Sequence, residues 1–201
     1  MGYSGHAYVA MEVAMANGLN ILGYFDKLEN KSNPFNIPYC GYEEEANFKA
    51  LVKDSIVFPA LGSNSIRKKL YQKLSKDNIK QIVLADPSAN ISSSATIGES
   101  TLINPNASIN SLAVIGKCCI VNTGAIIEHE CQIDNFSHIA PGAVLAGNVS
   151  IGKHCLIGAN AIIKQGVTII DDVIIGAGAV VLYDITEKGT WVGTPAKLVS
   201  K

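Results

Sequence analysis

NTGAIIEHECQIDNFSHIAPGAVLAGNVSIGKHCLIG, residues 122–158, carries an aliphatic residue at every sixth position: Ile127, Ile133, Ile139, Leu145, Ile151 and Ile157. Followed outward, the same phase runs from Ile91 to Val181. Sixteen consecutive positions all hold Ile, Leu or Val, and no insertion breaks the register. Two places before each of these stands a small or β-branched residue, as at Ala107, Ala113, Cys119, Ala125, Cys131, Ser137 and Ala143. The place just after is often Gly, Asn or Asp, as at Gly98, Asn104, Gly116, Asn122, Asp134, Gly152 and Gly158. Those residue types tolerate tight turns.

A period of six excludes a long helix, because an apolar stripe at that spacing rotates off any one helical face. It also excludes ordinary hairpins, whose loops vary in length. A β-solenoid accounts for it: short strands joined by sharp bends, one bend per hexapeptide. The aliphatic residues then point inward and stack from coil to coil. The small residues occupy crowded corners. Successive coils share a parallel ladder at about 4.8 Å, and stacking supplies the core that a single coil lacks.

Residues 1–85 read differently. GYSGHAYVAMEVAMANG is a glycine turn leading into a helix that ends near Gly18. NILGYF (20–25), SIVFPAL (55–61) and KQIVLA (80–85) read as strands, and residues 64–75 as a helix with Ile66, Leu70 and Leu74 at helical spacing. This alternation predicts a small Rossmann-like α/β domain with a parallel sheet. A strand is expected before the Gly2–His6 turn, yet Gly2 follows Met1 directly, so a compromised or rearranged first sheet is predicted. The turn presents amide groups at a helix start, which can hold an anion. It is not a full GxGxxG, and a plain loop-to-helix turn is the alternative. The expected organisation is thus 1–85 α/β domain, 86–184 solenoid and 185–201 C-terminal strap.

Composition narrows the function. Net charge is -1, charged residues are 16%, and no basic stripe is present, which disfavours nucleic acid as the ligand. Apolar content is 48% but dispersed, so no membrane insertion is expected; the N-terminus lacks the pattern of a signal peptide. Five Cys without a CxxC pair point to free thiols, a reducing cytoplasmic setting and no structural zinc.

The polar knot Glu128-His129-Glu130 follows inward Ile127 on a bend, where side chains reach outward. Flanking acids favour the charged imidazole, and a carboxylate on one ring nitrogen fixes the tautomer and leaves the other free as a base. An exposed turn histidine is the alternative. Cys131, beside it, falls at the small corner position and faces inward, so it reads as packing rather than as a nucleophile. His138 lies nine residues on, half a triangular coil away. His154 falls at another bend.

IEHECQIDNFSHIAPGAVLAGNVSIGKHCLIG, with GYSGH at 2–6, Asp26, GSNSIRKKLYQKLS at 62–75 and VGTPAK at 192–197, resembles the sialic-acid O-acetyltransferase and bacillosamine-type UDP-4-amino-sugar N-acetyltransferase family of hexapeptide acyltransferases. The resemblance implies a left-handed parallel β-helix, three hexapeptides per triangular coil, in a homotrimer with active sites between subunits. It implies His129 as general base, Glu130 as its polarising partner, and His138, Gly147, Gly193, Thr194 and Pro195 at the acetyl-coenzyme A site. Ser4, His6, Asp26 and Lys27 fall to the nucleotide-sugar side. Asn64 and Arg67 match a family motif, with helix capping and packing as alternatives. The implied activity is direct transfer of acetyl from acetyl-coenzyme A to a UDP-linked 4-amino sugar, with no metal and no acyl-enzyme. The alternatives are a GDP-linked amino sugar, a sialic-acid hydroxyl, a non-enzymatic sugar-nucleotide scaffold, and a carbonic-anhydrase-like metal site from His129, His138 and His154.

Overall fold

The structure is a computed structural model and describes residues 1–200. From Leu84 onward the chain is a parallel β-solenoid, the left-handed β-helix of the hexapeptide-repeat proteins, preceded by a small α/β domain. Each hexapeptide supplies one short strand, two residues long except at Val173–Ile175, whose last residue faces in and the one before it out. Strands pair with those eighteen residues on, as in Leu102↔Ile120 and Ile103↔Val121, so three hexapeptides close one coil.

Three sheets form the prism. The first begins Leu84–Ala85, Leu102–Ile103, Ile120–Val121, His138–Ile139 and Leu156–Ile157; the second contains Ser108–Ile109, Ile126–Ile127, Val144–Leu145 and Ile162–Ile163; the third contains Val114–Ile115, Gln132–Ile133 and Ser150–Ile151. Ile103, Ile127, Ile139, Leu145 and Ile157 stack inside at no exposure, with Ala107, Ala125, Cys131 and Ala143 at the corners. Each buried aliphatic side chain contributes about 1.5–3 kcal/mol.

The turn chemistry differs from the sequence expectation. The left-handed residue of each bend stands three places after the inward aliphatic, not one: Ser100, Asn106, Glu130, Phe136 and Asn148 all have φ between 55° and 65°. The glycines just after the aliphatic have another reason. A Cβ on Gly98 would lie 2.7 Å from the Gly116 carbonyl carbon, so these positions are set by the close approach of adjacent coils.

In the α/β domain, α1 (Gly5–Ala16) lays Ala7, Ala10, Val13 and Ala14 on Leu84 and Leu102 of the first sheet. A short helix α2 (Phe48–Leu51) and α3 (Asn64–Lys76) bury Phe48, Leu70 and Leu74 with Met1, Val52 and Val57. The segments 20–25 and 55–61 form no ladder. Tyr24 makes a single bridge to Tyr39, and residues 1–2 touch the neighbouring segments through Gly2 N–H to Phe25 O (2.8 Å) and Ala60 N–H to Met1 O (2.9 Å). Pro59, inside the second expected strand, has no N–H to donate. Leu84–Ala85, at the end of the third, is the first rung of the solenoid, paired with Leu102–Ile103. At the other end, Gly189–Val192 pairs with Val173–Ile175, and Lys197–Ser200 folds back antiparallel on it.

Candidate active site

His129 and Glu130 sit on the corner between the second and third sheets. The left-handed conformation of Glu130 (φ 60°) turns the chain so that both side chains stand in solvent, 51% and 58% exposed. His129 Nδ1 lies 3.1 Å from Glu130 Oε2. With the carboxylate accepting the Nδ1 proton, Nε2 carries the free lone pair. One coil above, Gly147 packs against the ring: a Cβ there would lie 2.5 Å from both His129 Cε1 and Nε2. The coils are tied at this point by Asn148 N–H to His129 O at 2.8 Å and Gly166 N–H to Gly147 O at 3.0 Å. The Gly147 N–H itself has no hydrogen-bond partner among the described residues. Cys131 faces inward, fully buried, its thiol donating to Ala146 O at 3.1 Å; burial pushes its pKa up. It is a packing residue.

His138 is not beside His129 in the same chain. It projects outward from the first sheet, next to the corner leading to the second, and lies under the start of α1. There its ring stands 6.3 Å from that of His6. Its Nε2 is 3.1 Å from Asn122 Nδ2. Burial and the nearby Arg67 charge, with His6 adding to the second ring, lower His6 to about 4 and His138 to about 3. Both rings are therefore neutral at physiological pH. His6 Nε2 is buried without a hydrogen-bond partner.

The remaining expected residues are scattered around these two centres. Ser4 precedes α1, exposed and without a side-chain capping bond. Asp26 is engaged locally: its carboxylate accepts from Tyr3 N–H (3.1 Å) and Lys27 N–H (2.7 Å), while Lys27 is exposed. Gly193, Thr194 and Pro195 form the exposed turn of the C-terminal hairpin, with a cis Thr194–Pro195 bond. His154 is stacked on Phe136 and paired with Asp172, at a third corner. One chain thus does not gather His129, His138 and His154.

Sequence reasoning missed Asn122, which orients His138, and Asn104, whose amide donates to Asn122 Oδ1. The eighteen-residue spacing of these two asparagines was the available signal. An open groove of about 660 Å³ runs over the third sheet, lined in part by Gln132, Asp134, Ser150, Thr168 and Lys188. It does not reach His129 or Gly147, so concavity alone does not locate the chemistry here.

The chain matches two family models: the PglD N-terminal domain over residues 1–74, and the hexapeptide repeat of succinyl-transferase over residues 148–183. It is similar over 100% of its length to a perosamine N-acetyltransferase from Caulobacter crescentus, solved as a histidine variant with CoA and GDP-perosamine. Identity is 31%, the TM-score 0.93, and 95% of that chain is covered. The acetyltransferase domain of PglB from Neisseria gonorrhoeae, solved with acetyl coenzyme A, is 33% identical, with 98% of this chain and 96% of that one covered and a TM-score of 0.91. WeeI from Acinetobacter baumannii is 26% identical, with 98% and 97% covered and a TM-score of 0.86. These relatives support the amino-sugar side of the expected resemblance and lend nothing to its sialic-acid side. The chain is an acetyltransferase, and it belongs to the hexapeptide-repeat acyltransferases related to the nucleotide-amino-sugar N-acetyltransferases.

Proposed function

We propose that this enzyme transfers acetyl from acetyl-coenzyme A to the amine of a nucleotide-linked amino sugar. A GDP-linked 4-amino sugar of the perosamine type is favoured over the UDP-linked one, on the similarity to the perosamine enzyme bound to GDP-perosamine. The observation that carries the mechanism is the packing of Gly147, whose N–H has no partner among the described residues, on the carboxylate-oriented His129 ring. The sugar amine attacks the thioester carbonyl. His129 Nε2 takes the amine proton as the C–N bond forms. The Gly147 N–H stabilises the oxyanion, and Glu130 the imidazolium. Collapse breaks the C–S bond and the thiolate leaves, taking a proton from the imidazolium.

The working unit in this reading is a homotrimer. The second sheet carries exposed Ile126 and Ile162 on its outer face, with Val144 and Val180 between and beside them. Threefold packing on that face buries the aliphatic column. It also brings the His129 corner of one chain to the His6–His138 side of the next, because those two corners flank the second sheet. Ser4, His6, Asp26 and Lys27 then belong to the acceptor side, and His138 with the Gly193–Pro195 turn to the acetyl-coenzyme A side.

The test is thiol release from acetyl-coenzyme A with a panel of GDP- and UDP-linked 4-amino sugars and free sialic acid, beside His129→Ala. Release is expected with a GDP-linked amino sugar, falling by about 10²–10⁴ in the variant. Preference for a UDP-sugar would overturn the choice of nucleotide. Full activity without His129 would overturn the mechanism.

A further inference from the structure

We infer that Tyr183 and Lys164 hold the nucleotide end of acetyl-coenzyme A: the Tyr183 ring carries the adenine and the Lys164 ammonium meets the phosphates. The inference rests on the reading of acetyl-coenzyme A as the donor, with its thioester between His129 and Gly147.

The corner that carries His129 is a column of positions one coil apart. Ile127, Leu145, Ile163 and Val181 pair in register up the second sheet. The second residue after each is His129, Gly147, Gln165 and Tyr183 in turn; the first is Glu128, Ala146, Lys164 and Leu182. At one strand spacing per coil, Lys164 stands about 10 Å and Tyr183 about 14 Å along the axis from the level of His129. The pantetheine arm spans about 15 Å from thioester to diphosphate at the rise of an extended chain. Laid along this corner from Gly147, it brings the phosphates to the level of these two side chains. The opposite direction offers nothing comparable. There the column continues with Ser111 and Ser93, flanked by Asn110, Leu112, Ser92 and Ser94, without a cation or an aromatic ring.

Tyr183 is 77% exposed and makes no hydrogen bond or ring contact among the described residues. Lys164 is exposed and has no salt bridge among them. A single exposed tyrosine needs no explanation by itself; this one borders a hollow. With Leu182, Trp191, Pro195 and Ala196 it lines a small recess at the C-terminal end of the prism. The C-terminal strap builds that recess by lying along the last rung of the second sheet: Val180 N–H donates to Gly193 O at 3.0 Å, and Ala196 N–H to Val180 O at 2.8 Å. Trp191 is steadied by its Nε1–H, which donates to Glu187 O at 3.2 Å. The adjacent Asp184 carboxylate accepts from Thr168 N–H at 2.8 Å. An exposed ring beside an apolar recess, with an unpaired ammonium one coil away, fits a purine followed by phosphates. Aromatic rings hold a base by stacking, and an ammonium meets phosphate as a point charge.

Thiol release from acetyl-coenzyme A is compared with release from acetyl-pantetheine, which lacks the nucleotide. The kcat/KM preference for acetyl-coenzyme A should narrow about tenfold in Tyr183→Ala and in Lys164→Ala, through a higher KM for acetyl-coenzyme A. Tyr183→Phe keeps the ring and should hold the preference within about twofold. An unchanged preference in the alanine variants, or an equal loss on both donors, would overturn the inference. Trp191 is the only tryptophan, so its fluorescence reads the recess without turnover. Adenosine 3′,5′-bisphosphate should give a saturable change in the wild type and bind about tenfold more weakly to Tyr183→Ala. Turnover of acetyl-coenzyme A with no such change, or equal affinity in the variant, would sink this inference alone. Saturable, Tyr183-dependent binding by a protein inactive on every amino sugar would uphold it and place the failure in the proposed acceptor.

Discussion

Gly147 shows how little room the site leaves. Its backbone is not left-handed, so alanine suits it conformationally, yet a methyl would lie 2.5 Å from the His129 ring. The ring is half exposed and can swing outward. Gly147→Ala should therefore cost the enzyme at least ~10-fold in kcat, since small misplacements of a reacting group are expensive. Its thermal midpoint should move by no more than ~4 °C. Calorimetry beside the thiol-release assay separates the two; a large loss of stability would mean that the glycine serves coil stacking instead. His129 itself was legible in the sequence as a histidine among acids on an outward bend. Gly147 was placed at the acetyl-coenzyme A site only by family resemblance, and its contact with His129 was not foreseen. Seeing it directly requires knowing that eighteen residues close one coil.

At the scale of the elements, the corner columns are chemically quiet. Cys119 and Cys155 sit at the same corner one above the other with Thr101 and Ser137, all directing Sγ or Oγ to carbonyls of the next coil. Burial raises the thiols of Cys118 and Cys119 to about 12 and of Cys155 to about 11, from an ordinary 9.0. The native protein should thus titrate one thiol with a disulfide reagent, the half-buried Cys40, and the other four only after unfolding. The sign for stability follows from the same shift. Above pH 9 the unfolded chain loses these protons while the folded chain keeps them, so stability is full below that pH and falls across the window up to about 12. A chemical-denaturation series in alkaline buffers reads the decline. The hexapeptide phase announced which residues face inward. It did not announce the left-handed position, because Ser, Asn, Glu, Phe and His all occupy it and no residue type marks it.

For the whole molecule, the α/β domain and the prism meet through neutral histidines and a buried guanidinium. His6 and His138 have folded pKa values of about 4 and about 3, below the ordinary 6.5. The unfolded chain therefore gains protons first on acidification. The stability these rings contribute is complete above pH 6.5 and is lost as pH falls toward about 3. Thermal midpoints should fall through that window, and the fall should be shallower in His138→Gln. Ile162, 46% exposed on the second sheet, tests the proposed trimer: if it forms, Ile162→Glu should leave the coil folded but give monomers by light scattering, with loss of thiol release. An active monomer would refute the shared site. No helix of the described residues is long and apolar enough to cross a membrane.

By itself the sequence determined the solenoid, its inward column, its corner residues and the outward bend at His129, because a strict period leaves one arrangement that buries every aliphatic residue. Helix α3 was legible from its apolar spacing, and α1 from the glycine turn before it and Gly18 after it. Only the tertiary structure decided that the segments at 20–25 and 55–61 make isolated bonds rather than a ladder, and that Leu84–Ala85 belongs to the prism. It alone set His138 beside His6, with Asn122 on its Nε2. The Arg67 bond to Cys118 O and the His6–His138 contact join residues 51 and 132 positions apart, and each depends on the coil count and on how one domain docks on the other. Local periodicity carries neither quantity.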